Sequence, residues 1–154
     1  VAGDPGPAGG RRAFSLAGID FEARADSLAA VHAVAPTPQT RRDLAAARVR
    51  AGQPESALEL LVPWWPDGLS TPEMLLVLQA DRDLDSPQRA REIAVSLADR
   101  PPAVADVEFW TLVALICLDH GDSDLGLRAL DVAIGLAPAN HALTSYRKLI
   151  VAGG

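Results

Sequence analysis

One pattern restricts the possible folds of this chain more than any other: small and apolar residues recur at the same offsets, with a proline closing two of the copies. Gly121, Gly126, Leu130, Ala133 and Pro138 stand at offsets of 0, 5, 9, 12 and 17, and Asp85, Ala90, Ala94, Leu97 and Pro102 reproduce them. Gly52, Ala57, Leu61 and Trp64 follow the same frame until it runs out. A weaker copy stands upstream as Gly18, Ala23, Ser27 and Ala30, flanked by Phe14 and Phe21. Successive copies are 34, 33 and 36 residues apart. A period of that length is one supersecondary unit that cannot bury its apolar face alone and must stack on its neighbours.

The unit is helical. Thr37-Pro38, Thr71-Pro72 and Ser86-Pro87 each put a proline behind a short polar residue, and proline suits the first helical position because its missing N–H needs no partner there. Between these starts the apolar residues recur at three and four, as in Leu58 and Leu61 or Ile93 and Leu97. No stretch holds a period of two beside a hairpin signal. The expected fold class is all-α. Residues 1–10, VAGDPGPAGG, have almost nothing to bury, so a flexible leader is expected there.

The last copy, Val107 to Asn140, carries Trp110, Val113, Ala114, Gly121, Asp122, Leu130, Ala133 and Pro138. With its period, that pattern resembles the tetratricopeptide repeat. The resemblance implies antiparallel helix pairs stacked as a right-handed α-solenoid, with a degenerate half repeat over 11–37 and full repeats over 38–70, 71–106 and 107–140. A capping helix follows over 141–154, where Leu143, Tyr146, Leu149 and Ile150 make an amphipathic face. The sequence departs from the family pattern in places. Gly126 replaces the usual Ala at the tightest crossing, Arg41 stands where Trp110 stands in the last repeat, and only a degenerate first helix, around residues 11–16, precedes Gly18.

In the family the first helix of each repeat lines a concave groove that holds a peptide or a helix. Carried over by offset, partner-binding positions are Arg42 and Arg50, then Leu75, Leu76, Gln79 and Arg82, then Thr111, Leu112, Leu115 and Leu118. The helix FWTLVALICL, Phe109 to Leu118, is apolar on every side, whereas a helix packed along one face shows a stripe roughly 100° wide. It therefore needs covering twice. The carboxylate clamp of chaperone adaptors in this family is absent, because Arg42, Ala46 and Leu76 stand where a Lys and two Asn are required.

PWWP, Pro63 to Pro66, shares four letters with a chromatin-reading β-barrel module. No alternating strands surround it, and the frame places it at the end of a helix. Trp64 and Trp65 are read either as packing between repeats or as an aromatic anchor for a partner.

Composition excludes further classes. A net charge of −6 argues against nucleic acid as a partner, since such affinity rests on clustered Lys and Arg. The longest apolar run, Leu112 to Leu118, is far shorter than the roughly 18 residues that span a bilayer, so no membrane insertion is expected. Cys117 stands alone, which rules out an internal disulfide and fits a cytoplasmic setting. The chain opens on Val1 rather than Met, which leaves a removed targeting segment open.

Asp81 to Ser86 with Glu92 copies part of a calcium-loop spacing, but Ser86 and Pro87 replace what that loop needs. Asp119, His120, Asp122 and Asp124, with His141 nearby, read as ordinary turn residues rather than a metal centre. No metal, cofactor or catalytic residue is expected. The leading expectation is a scaffold or chaperone-like adaptor, similar in size to secretion chaperones of the family, with another protein as partner and self-association through the groove as a further possibility. The alternatives are an interaction domain of a larger enzyme or regulator, and a small helical enzyme using the Asp and His turn residues.

Overall fold

The computed structural model describes residues 20–99 and 104–153. The leader expected over residues 1–10, the degenerate helix expected around residues 11–16, and Phe14, Gly18 and Pro102 of the repeat frame lie outside the described residues. All regular structure among the described residues is helical, with no strand. Contacts divide the chain into two compact units, residues 1–80 and 81–154.

In unit 1, α1 (Phe21–Val34) packs on α2 (Pro38–Arg50), and α2 packs on α3 (Pro54–Leu61). Asp20 caps α1 by accepting the Ala23 N–H at 3.0 Å. Thr37 and Thr40 cap α2 reciprocally, each hydroxyl accepting the other's backbone N–H at 3.0 and 2.9 Å. This is a capping box with threonine in place of the usual Glu or Gln. Pro63 cannot extend α3, because its ring clashes one turn back and it offers no N–H. The helix accordingly ends at Leu61, and Val62–Trp64 forms a single 3-10 turn. Gly68 folds the chain back, its N–H donating to Trp64 O at 2.9 Å. A Cβ there would stand 2.9 Å from that same oxygen, so no larger residue fits. α4 (Thr71–Asp83) follows, and the division into units falls between its Ala80 and Asp81. Ala45, Leu61, Leu69 and Val77 form the core of unit 1, with Trp65, Met74 and Leu76 against it.

In unit 2, α5 (Gln88–Ser96) touches both α6 (Val107–Asp119) and α7 (Ser123–Leu136), and α8 (His141–Gly153) lies on α7. The α6–α7 hairpin is the most closely packed pair. Gly126 explains why: a Cβ at this position would stand 2.5 Å from Leu118 Cγ and 3.3 Å from Ala114 O. The glycine lets the two backbones approach with Leu118 laid between them. Phe109, Trp110, Val113, Ile116, Leu130 and Ala133 fill the core behind that contact.

One turn geometry recurs through both units. Gly52, Asp85 and Gly121, the offset-zero residues of the sequence frame, are the described residues with positive φ, at 74°, 53° and 79°. After α2 the Gln53 N–H reaches Arg48 O at 2.8 Å and Gly52 N–H reaches Val49 O at 3.1 Å. After α4 the same two bonds run from Ser86 to Asp81 at 2.8 Å and from Asp85 to Arg82 at 3.1 Å. After α6 they run from Asp122 to Cys117 at 2.9 Å and from Gly121 to Leu118 at 3.1 Å. All three turns are Schellman motifs, which engage the last helical carbonyls and require a left-handed residue.

Candidate functional site

Unit 1 holds a cavity of about 630 Å³ with mostly apolar walls. His32 and Pro36, at and beyond the end of α1, form one side, with Thr37, Pro38 and Arg41 of α2 beside them. Leu60, Trp64 and Gly68 come from the end of α3 and its turn, and Ser70 and Glu73 from the start of α4. The tight caps and the PWWP turn fix these walls: the capping box sets Thr37, and the Gly68 return sets Trp64.

At the back of the cavity lies an ion pair. Arg41 is 9% exposed and Glu73 3%. Arg41 Nε donates to Glu73 Oε2 at 2.8 Å and Nη2 to Oε1 at 3.2 Å, the fork-to-fork geometry that suits guanidinium and carboxylate. Nη2 also donates to Gly68 O at 3.4 Å. The Ser70 N–H and hydroxyl both donate to Glu73 Oε1, at 3.1 and 3.0 Å. Burial alone would raise the Glu73 pKa, but the Arg41 hydrogen bond, the Ser70 bonds and the Arg41 charge together hold it below its ordinary value. Arg41 in turn lies over one face of Trp64, its Cζ 4.9 Å from the ring centroid, a cation–π contact.

His32 completes the rim. Its Nδ1 lies 2.6 Å from Thr40 Oγ1. Thr40 Oγ1 also lies 3.0 Å from Thr37 O.

Trp64 and Trp65, paired in sequence, separate in space. Trp65 packs against the unit 1 core, while Trp64 is 52% exposed and lines the cavity. Of the groove positions assigned in unit 1, Leu76 also leans on that core, and Leu75 and Gln79 are half-buried. Arg42 donates to Gln39 Oε1 and Arg50 is exposed. In unit 2, Leu112 is 8% exposed and belongs with the buried side chains of α6. Leu118 rests on Gly126, Leu115 is half-buried, and Thr111 donates its hydroxyl to Val107 O at 2.7 Å. Arg82 pairs with Asp119 at 3.5 Å. The all-round apolar character of α6 is thus largely met by burial: Phe109, Trp110, Leu112, Val113, Ala114, Ile116 and Cys117 are all buried.

Arg41, Glu73 and His32 are not among the partner-binding positions that the sequence frame assigns. One signal was present: Arg41 in the frame position that Trp110 fills in the last repeat. A charged residue in a packing slot requires a buried counter-charge, and Glu73 supplies it from 32 residues away.

No protein-family profile matches the chain, and no curated protein or solved structure matches it either. Among the described residues no His, Cys, Asp and Glu group could hold a metal ion, and no helix is long and apolar enough to cross a membrane. Cys117 is buried, and burial first, with Asp122 second, pushes its thiol up to about 11. Asp81, which opens the calcium-like spacing, is fully buried; Oδ1 accepts from Arg89 Nη1 at 2.7 Å and Oδ2 has no hydrogen-bond partner among the described residues. Burial raises its pKa against the pull of Arg89.

Proposed function

We propose that this chain is a protein-interaction module, an adaptor or chaperone-like scaffold, built of tetratricopeptide-like helix pairs in a right-handed α-solenoid. The recurring Schellman turn at Gly52, Asp85 and Gly121 supports a repeated helix pair. The observation that carries the binding role is the open apolar cavity beside the half-exposed Trp64. A large flat side chain held beside a concavity is the usual form of an interface anchor, because it brings much apolar area at small entropic cost.

Binding suits this cavity better than catalysis. Its two charged groups are engaged with each other, and Glu73, held ionised by Arg41 and Ser70, is a poor proton donor near neutrality. In this reading the ligand is a segment of another protein, held by apolar contact and a few hydrogen bonds. Selection of peptides from a random displayed library on the intact chain, counter-selected on Trp64→Ala, tests this. Enriched peptides should bind the wild type and weaken by about 10-fold or more on Trp64→Ala. Failure to enrich any peptide, or enrichment indifferent to Trp64, overturns the reading.

A further inference from the structure

The hydrogen-bond inventory of the cavity goes further than its shape. Arg41 Nε and Nη2 are engaged by Glu73 and Gly68, whereas Nη1 bonds to no described residue. Nη1 is not sealed away either, since the buried polar atom without a partner is Asp81 Oδ2. The two N–H groups of Nη1 are therefore the part of the guanidinium left for a ligand of the cavity that Arg41 lines. The Trp64 indole N–H likewise has no partner among the described residues, and the residue is half-exposed. The acceptors, by contrast, are largely occupied. Glu73 Oε1 takes Arg41 Nη2 and both Ser70 donors, and Oε2 takes Arg41 Nε. Thr37 O, Trp64 O, Gly68 O and Ser70 O each already accept a bond.

The cavity is thus rich in unmet donors, poor in acceptors and apolar elsewhere. It is also close to neutral, because Arg41 is balanced by Glu73 at 2.8 Å. Because Glu73 already neutralises the guanidinium, a carboxylate at Nη1 would bring an unbalanced charge into the cavity, so a neutral carbonyl suits this site better than an anion. An ordinary peptide segment brings one N–H for each carbonyl, and an N–H buried without an acceptor costs about 1 to 3 kcal/mol. Proline brings the carbonyl without the N–H, and its ring packs flat on an aromatic face.

Resting on the reading of this chain as a peptide-binding module, we propose that its cavity takes an uncharged, proline-containing segment of a partner protein, a proline ring on Trp64 and a backbone carbonyl on Arg41 Nη1. A segment in polyproline conformation also loses little entropy on docking, because it is extended beforehand.

The test uses the whole chain, isotope-labelled, titrated with an acetylated and amidated peptide of repeated Leu-Pro-Pro triplets. Comparison peptides replace both prolines by alanine, or keep the sequence and end in a free carboxylate. The proline peptide should bind about 10-fold or more tighter than the alanine peptide, with shifts centred on the Trp64 indole and on residues 36–41 and 68–73. Trp64→Leu, at a half-exposed position, should lose about 10-fold or more of that affinity with an unchanged circular dichroism spectrum. Arg41→Lys keeps a charge for Glu73 but removes the Nη1 donors, and in folded form should weaken the proline peptide selectively. Equal binding of the alanine peptide, preference for the free carboxylate, or shifts away from the cavity would overturn the proposal. Library peptides that need Trp64 but lack proline would sink the proline assignment and leave peptide binding standing; if no peptide binds at all, both fall.

Discussion

Arg41 and Trp110 hold the same position in their respective hairpins, eleven residues before the left-handed turn residue, yet their surroundings close in opposite ways. In unit 2 the Trp110 ring is 2% exposed, Phe109 meets it edge-on with centroids 5.2 Å apart, and Nε1 donates to Val104 O at 2.6 Å. The ring fills volume, and its surroundings are dense. In unit 1 the guanidinium is flat and its neighbours are set by hydrogen-bond direction instead. Glu73 and Gly68 must lie in its plane, Trp64 lies over its face, and space remains beside them. The comparison teaches that one packing slot in a repeat gives a sealed core with an indole and a cavity with a guanidinium. The cavity arises at the position where the sequence breaks its own pattern.

The largest blow to one side of the comparison is Trp110→Ala. It should destabilise unit 2 by about 3 to 5 kcal/mol, measured by urea denaturation; a loss below about 1 kcal/mol would mean that the ring is not part of a close-packed core. On the other side, Glu73→Leu should cost about 3 kcal/mol by leaving Arg41 buried without a counter-charge. Arg41→Met combined with Glu73→Leu should recover to within about 1 kcal/mol of the wild type or exceed it, as replaced buried pairs often do. If the double variant is as unstable as the single, the pair is not the element that opens the cavity.

Next in size is the closeness of the unit 2 hairpin. Gly126→Ala forces Leu118 aside and should cost about 1 to 3 kcal/mol, seen as a lower melting temperature. The shared turn gives smaller effects of opposite sign. Gly52→Ala and Gly121→Ala should each lose about 1 kcal/mol, whereas Asp85→Gly should be neutral or gain about 0.5 kcal/mol, because an L residue is strained at positive φ. Equal losses at all three would deny them a common geometry.

The gentlest probe is pH, which separates the two buried carboxylates. Glu73 has a folded pKa below its ordinary 4.5, so its contribution is complete above that pH and is lost as pH falls through the folded value. Asp81 has a folded pKa above its ordinary 3.8, so its ionisation opposes folding and acidification relieves that opposition. Stability curves below pH 5 should therefore fall less steeply in Glu73→Gln and more steeply in Asp81→Asn; the reverse order would contradict the hydrogen-bond assignments.

Much of the fold is legible without coordinates because it is written in local chemistry. The proline starts at Pro38, Pro72 and Pro87 lie in the first turn of a helix or just before it, and the offset-zero residues adopt positive φ. Both follow from backbone sterics within a few residues. Likewise Pro63 ends α3 because of its own ring. The fates of Trp64 and Trp65 were not legible in this way. Adjacent residues of identical type carry no signal to tell which one meets the core and which the cavity.

The Arg41–Glu73 pair shows the limit most clearly. The sequence by itself determined that the chain is helical, where its helices begin and turn, and that a cation stands in a slot suited to an aromatic ring. Only the tertiary structure decided what neutralises that cation and how much space is left around it. The reason is that a hairpin turn depends on the torsions of three or four adjacent residues. A buried charge depends on whichever group folding brings within about 3 Å, and neither member of such a pair carries information about its distance from the other along the chain.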